Sequence, residues 1–516
     1  MSNSHSKTYG TFITVAITLG AIALILLSSL NSYNPTPAGN LATQTPGVPS
    51  ITPVSIEAIN LMLKGEQAMV ESEYQGAVTI FSKAIDLVPG YENAYIKRSL
   101  AYKALGLYKQ SLSDLSIAMQ LSGETGELLR QRGDLYVLAG EDASAVDDYT
   151  KAITFDPADV EAYFNRSVAY ARLNKTNEAI ADIDQVISIM PDRANAYFNR
   201  AVLYENLNEV ENALVDYSKA IQLSKENGGT IYMRRGLVYA QLERTFEALA
   251  DFEQAISLGV ENETIYLTRG AIYWNMEKSD QALVEFNKAL SLNPQNPVIY
   301  YNLGGVYLNT QQYDLAIANY DKAIQLAPSN TLFFNNRGLA YYLKDNLRQA
   351  LSDYDQAIRL DPEYSEAYQN RANALVRAKD LSLAIADYTK VIELETNSPD
   401  AYYNRGIVYY QLKDYEAALA DFNTIIASEM PNVVQALNMR AVIYYTQQKV
   451  NLALDDLTAA INRDPEYPDS YERRALIYKT LGKTSQAVAD LKRYLELETD
   501  PDLLKDAEKQ LQALGG

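Results

Sequence analysis

The chain has no cysteine and one histidine, His5. Without thiols there is no disulfide framework, no Cys/His zinc site and no cysteine nucleophile. With its lone imidazole in the N-terminal tail, the rest of the chain offers no histidine general base. Cysteine usage also leaves the redox compartment open. Tryptophan is nearly as scarce, at one residue against 40 tyrosines. Positive charge is the minority sign: 45 Lys and Arg against 65 Asp and Glu give a net charge of −20. Nucleic-acid binding needs clustered cations to neutralise phosphates, so this balance argues against it. It argues equally against adsorption on anionic lipid. The acidity reads as a solvated outer face.

Charge of either sign is missing altogether from residues 8–56. Within them Phe12 to Leu30 is an almost continuous apolar run. As a helix rising ~1.5 Å per residue it would span about 28 Å, close to the hydrocarbon thickness of a bilayer. Lys7 precedes the run and the next cation is Lys64, so the positive-inside bias places the N-terminus in the cytoplasm and the rest across the membrane. The expected organisation is a cytoplasmic tail (1–10), one transmembrane helix (11–30) and a Pro/Gly/Ser/Thr/Asn-rich flexible linker (31–56). A cleaved signal peptide shares the basic-then-apolar pattern and would make the protein secreted. Ser28-Ser29-Leu30 is a poor cleavage site, which favours a retained single-pass anchor.

From Ala58 the sequence repeats every 34 residues. With Ala58 as position 1 of the first of thirteen units, position 8 is always Gly, Ala or Ser, from Gly65 through Ala475. Position 20 is Ala in every unit but one, which has Ser111. Position 11 is Tyr in eleven units, and Pro closes many, as at Pro157, Pro294, Pro362 and Pro465. Small residues at 8 and 20 let two antiparallel helices approach closely, while large residues at 4, 11 and 24 fill the space beside them. Proline ends one hairpin and resets the chain for the next. A single hairpin cannot bury its apolar stripe, so neighbours must stack.

This pattern resembles the tetratricopeptide repeat (TPR) family, in register thirteen times, with the family's usual Trp at position 4 mostly replaced by Tyr, as in Tyr163, Tyr197 and Tyr402. The resemblance implies an all-α fold: a right-handed superhelical α-solenoid of about 13 TPR hairpins over residues 57–501. Two units are 35 residues long, near Gly228-Gly229 and Met430-Pro431-Asn432. A final stripe of Leu503, Leu504, Ala507, Leu511 and Leu514 reads as a C-terminal capping helix, 502–516. No stretch is left over for a catalytic domain, so no enzyme activity, cofactor or metal is expected.

Position 7 is Arg in eleven units, and in the same eleven position 23 is acidic; the two units with Lys64 and Leu303 carry Ile80 and Asn319 instead. Residues that change together within a unit are expected to touch. Arg200 with Asp216, Arg371 with Asp387 and Arg405 with Asp421 are therefore expected as structural ion pairs joining the two helices of one hairpin.

In TPR arrays the first helix of each hairpin lines the concave side, so the resemblance points positions 2, 5, 6, 9 and 12 into a groove. Position 6 is Asn at Asn165, Asn199, Asn302, Asn336, Asn370 and Asn404. Related arrays use such an Asn ladder to hold the backbone of an extended peptide, a task that suits an amide, which both donates and accepts. Beside the amides stand Trp274, Tyr301, Tyr342, Tyr403, Tyr410 and Tyr445, and positions 5, 9 and 12 carry no charge from the sixth unit through the twelfth. Uncharged, aromatic and amide-bearing, this strip has the composition of a protein-binding surface. The carboxylate clamp of TPR co-chaperones is missing: Lys97, Arg234 and Arg473 at position 6 lack accompanying basic residues, and Asp469 stands where a lysine would be required.

The sequence thus implies a membrane-tethered, extracytoplasmic scaffold that binds protein or peptide partners in its groove. The alternatives are a purely structural, self-associating array and a cell-surface glycan binder, which would use the same Tyr, Trp and Asn.

Overall fold

The computed structural model describes residues 54–224 and 228–515. The expected tail, anchor and most of the linker (1–53) lie outside the described residues. Among those described, no helix is long and apolar enough to cross a membrane.

The described chain is helical throughout. It divides into two compact units, one closing at Ile272 and the other opening at Tyr273. The first contains α1 (Ile56–Val70), α2 (Tyr74–Leu87), α3 (Glu92–Ala104), α4 (Tyr108–Ser122), α5 (Gly126–Ala139) and α6 (Asp142–Phe155). It continues with α7 (Val160–Arg172), α8 (Thr176–Ile189), α9 (Ala194–Asn206), α10 (Val210–Leu223), α11 (Gly229–Gln241) and α12 (Thr245–Ser257). The boundary falls inside α13 (Glu263–Asn275). The second unit holds α14 (Ser279–Leu292), α15 (Pro297–Asn309), α16 (Tyr313–Leu326), α17 (Thr331–Leu343), α18 (Leu347–Leu360), α19 (Ser365–Ala378) and α20 (Leu381–Leu394). It ends with α21 (Pro399–Gln411), α22 (Tyr415–Ala427), α23 (Val433–Thr446), α24 (Val450–Arg463), α25 (Pro468–Thr480), α26 (Thr484–Leu497) and α27 (Pro501–Ala513).

Position 15 turns each hairpin. In all thirteen repeats it lies in the left-handed region, from φ 57° at Glu243 to φ 78° at Gly140. The next amide then reaches back to the carbonyl of position 11, as Lys175 N to Tyr170 O (2.9 Å) and Asp414 N to Tyr409 O (2.9 Å). This closes the first helix of the hairpin with a Schellman-type bond. Only Gly106, Gly140 and Gly482 meet that conformation with glycine; ten units use residues such as Asn174, Asp345 and Lys413.

Inside the hairpin, position 8 lies against position 24. A Cβ on Gly133 would sit 2.7 Å from the Tyr149 ring, on Gly304 2.6 Å from Tyr320 and on Gly406 2.9 Å from Phe422. All seven units with glycine at 8 carry an aromatic ring at 24. Where position 8 is Ser99, Ser167, Ala441 or Ala475, its partner is instead Leu115, Ile183, Leu457 or Leu491, all buried. In these eleven units a larger residue on one helix goes with a smaller one on the other, as close packing favours; the remaining two combine a methyl with a ring, Ala201 with Tyr217 and Ala372 with Tyr388.

Within each unit, from α1 to α12 and from α15 to α26, each odd-numbered helix packs against the even one after it, and the even ones pack against the next hairpin where one follows in the same unit. The strongest second-neighbour contacts join odd helices: α1 to α3 and α5 to α7 in the first unit; α15 to α17, α17 to α19, α21 to α23 and α23 to α25 in the second. Within each unit the odd helices are therefore the closer row, the inner side of a two-layer stack. At the C-terminal end α27 buries Ala507 against Ile461, Tyr471 and Tyr494.

Candidate binding face

The arginines of position 7 build the frame that carries the inner row. Arg200 donates from Nε to Asp216 Oδ2 (2.6 Å) and from Nη2 to Asp216 Oδ1 (2.8 Å). Arg371 and Asp387 are paired in the same bidentate way (2.8 and 2.7 Å), as are Arg405 and Asp421 (3.0 and 2.7 Å). The remaining arginine nitrogen bonds the hairpin before: Arg371 Nη1 to Asp355 (2.6 Å) and Arg405 Nη1 to Thr389 Oγ1 (2.8 Å). One guanidinium therefore ties three helices. The position that accepts this third bond alternates among Ser82, Thr150, Asp184, Asp321 and Asn423, so no fixed residue type marks it in the sequence. The same cations lie over the tyrosines of positions 4 and 11, as Arg166 over Tyr163 (5.5 Å) and Tyr170 (5.7 Å). Many of the chain's tyrosines thereby line the frame and not a ligand site. Burial pushes the Asp353 and Asp421 carboxyls above their usual range, against the arginine hydrogen bonds that pull them down.

The asparagines of position 6 do not form one uniform ladder. Asn199 and Asn302 are 1% and 3% exposed, so neither amide is presented to a guest. Neither amide atom of Asn199, nor Nδ2 of Asn302, has a hydrogen-bond partner among the described residues. Tyr301, also expected on the surface, is 6% exposed. Its ring packs on Tyr320 (5.8 Å) and Phe333 (5.2 Å). For Tyr301 and Asn302 on α15 the reason is the approach of α17, which puts positions 5 and 6 in the seam between the two helices, where side chains pack helix to helix.

The other site residues are half-buried. Asn165 donates to Asp134 Oδ1 (2.9 Å), which also accepts from Tyr149 OH (2.7 Å). Asn336 donates to Tyr301 OH (2.6 Å), and Asn370 donates to Asn335 Oδ1 (3.0 Å). Asn404 lies at the same level of α21, half-buried. Trp274 is a packing residue as well as a surface one: its ring lies so close over Gly305 that a Cβ there would run into it. Tyr342 lies under the Arg377 guanidinium (4.6 Å). Tyr403 rests on Phe422 (5.9 Å) and Tyr410 on Tyr415 (5.9 Å), and Tyr445 donates to Thr480 Oγ1 (3.2 Å).

At the centre of this row is a group that the repeat pattern alone did not single out. Glu366, at position 2 of α19, accepts from Asn335 Nδ2 (3.1 Å) on Oε1 and from Tyr364 OH (2.9 Å) on Oε2. Asn335 is fully buried. The only signal in the sequence was a doubled Asn335-Asn336, where the hairpin before has Tyr301-Asn302 and the two after have Gln369-Asn370 and Tyr403-Asn404. Burial and the nearby Glu366 push the Tyr364 phenol well above its usual range, so it stays a donor.

Models of the tetratricopeptide repeat match residues 194–227, 297–330 and 332–364, residues 403–470, and residues 160–193, 229–258 and 468–501. A TPR repeat model matches 133–174, 276–311 and 372–413. Together they take in most of residues 133–501. The chain belongs to the tetratricopeptide repeat family.

Among curated proteins this TPR chain is 32% identical over 106 residues to human tetratricopeptide repeat protein 6, 20% of each chain. It is 35% identical over 100 residues to tetratricopeptide repeat protein 36 of Xenopus tropicalis, covering 19% of this chain and 50% of that one. Over 97 residues it is 29% identical to human DnaJ homolog subfamily C member 3, 19% of each chain. The matches therefore span between a fifth and a half of those relatives. Of solved structures, YrrB, described as a TPR protein with an unusual peptide-binding site, shares 28% identity, with a TM-score of 0.33 over 38% of this chain and 97% of that one. A TPR protein from Parabacteroides merdae gives 19% identity and a TM-score of 0.38, covering 49% and 99%. The APC/C hetero-tetramer Cut9–Hcn1 gives 15% and 0.37, covering 88% and 96%.

Proposed function

We propose that this TPR protein is an interaction scaffold whose second unit holds an extended segment of a partner polypeptide along the inner row of odd helices. One observation supports this most. From α15 to α23, positions 5, 6, 9 and 12 carry no charged side chain, yet Tyr342, Tyr403, Tyr410, Tyr445 and three asparagines keep part of their surface in solvent. An uncharged strip of aromatic rings and amides, in a chain rich in acid, suits a desolvated contact to peptide backbone. The tether belongs to the same proposal: residues 11–30 anchor the array outside the cytoplasm, and the mass of the mature N-terminus tests it, since a start near Asn31 would mean cleavage and secretion.

Changing Asn336, Asn370 and Asn404 together to Ala tests the peptide reading. Loss of specific polypeptide partners in a cross-linking pull-down, with helicity unchanged, supports it. An unchanged partner set moves the assignment to a structural or glycan-facing array.

A further inference from the structure

The hairpins from α15 to α23 treat inner-row charge differently from those of the first unit. In the first, cations and anions answer one another: Lys97 pairs with Glu66 (2.8 Å), Arg130 with Asp159 (3.2 Å) and Arg193 with Glu161 (2.8 Å). Even the buried Arg234 has Glu205 at 3.7 Å. In the second unit, from α15 to α23, positions 2, 5, 6, 9 and 12 contain no Lys or Arg, and their only charged residues are Glu366 and Asp400. Neither has an ion-pair partner among the described residues.

Glu366 is exposed, yet it is held in place. Tyr364 and Asn335 each bond one of its oxygens, Asn335 is itself buried, and Asn370 fixes Asn335 from the other side (3.0 Å). Both donors to the carboxylate are neutral. They orient it without cancelling its charge, and they leave lone pairs on both oxygens, since a carboxylate has about four acceptor sites. So oriented, the carboxylate keeps the capacity to accept a charge-assisted hydrogen bond.

Resting on the proposal that this row binds a polypeptide, we infer that the guest segment carries an arginine or lysine that docks on Glu366. Asp400, one hairpin further on and bonded by Asn432 (2.7 Å), adds to the field that draws the cation in. The uncharged amides and rings on either side then bind the guest backbone and its neutral flanks. The row thus discriminates by charge: an acidic segment would meet two carboxylates, with no Lys or Arg at positions 2, 5, 6, 9 and 12 of these helices to offset them.

Selection of short random peptides on the immobilised full-length chain tests this directly. Enrichment of Lys or Arg at one position of otherwise uncharged peptides is the expected result. The best peptide, resynthesised with citrulline or acetyl-lysine at that position, binds about five- to tenfold more weakly, the scale of one part-exposed charge-assisted contact. Glu366→Gln gives the same loss for the basic peptide and none for the neutralised one. Enriched peptides without a basic residue, or a charge preference that survives Glu366→Gln, overturn the assignment of Glu366 while leaving peptide binding standing. If no peptide is enriched at all, both fall.

Discussion

Arg200 and Asp216 show how far a single residue's role could be read from the sequence. Their joint presence in the same units gave the pair, because thirteen copies in one chain act as an internal comparison. The reach of the same arginine to Asp184 (2.6 Å) stayed hidden, since that third partner varies freely among Ser, Thr, Asp and Asn. Asp216 is buried, so Arg200→Leu leaves a carboxylate without its cation and is expected to destabilise by about 3 kcal/mol. Adding Asp216→Asn should recover a large part of that loss in urea unfolding. Strict additivity of the two changes would contradict the pairing. The glycine of position 8 makes a second residue-level case. Gly406→Ala puts a methyl 2.9 Å from the Phe422 ring and should lower stability by ~1–3 kcal/mol, the range for overpacking. In the Phe422→Leu background the same change should cost little, because Ala441 with Leu457 and Ala475 with Leu491 already use that combination. An equal loss in both backgrounds would mean that the ring is not what excludes the methyl.

At the scale of elements, the helices and their period were legible because small residues at 8 and 20 and prolines between units recur in register. The turn inside each hairpin was not. Its left-handed position 15 is glycine in three units only, so the usual marker for a helix end is absent from most of them. The structure requires the conformation regardless, and the packing of the two helices enforces it. Lys413 is exposed at φ 62°. Lys413→Gly is therefore expected to raise the unfolding midpoint, through about 1 kcal/mol of added stability, as the left-handed strain of a side chain is removed. A lower midpoint would show that the lysine contributes something beyond its backbone. The positions of side chains between hairpins were the least legible. Position 6 reads as one row of asparagines, yet Asn199 and Asn302 are buried while Asn336 and Asn370 are half-buried. Periodicity gives the face of a helix, and the closeness of its neighbour decides whether that face is covered.

For the molecule as a whole, stacked hairpins depend on their neighbours, so an uncovered end is a weakness. Ending the chain at Asp500 removes α27 and uncovers Ile461, Tyr471 and Tyr494, which pack with Ala507. The shortened protein should lose protection from hydrogen exchange first in α25 and α26. Unchanged protection there would mean that α27 does not act as a cap. The composition of the chain already implied a binding protein: no thiol, no histidine beyond the tail, excess acid, and an uncharged strip on one face. The Glu366 carboxylate escaped notice because one of its two donors, the buried Asn335, comes from the preceding hairpin, which only folding brings beside Glu366 and Tyr364.

The central claim is that the inner row of the second unit, and not its outer helices, meets a partner polypeptide. Placing a photoreactive phenylalanine analogue at Tyr410 on α21, and separately at Leu383 on α20, which is 59% exposed, tests it most directly. Illumination in the native setting should yield polypeptide adducts from position 410 and essentially none from 383. Adducts from 383 with none from 410 would contradict the account.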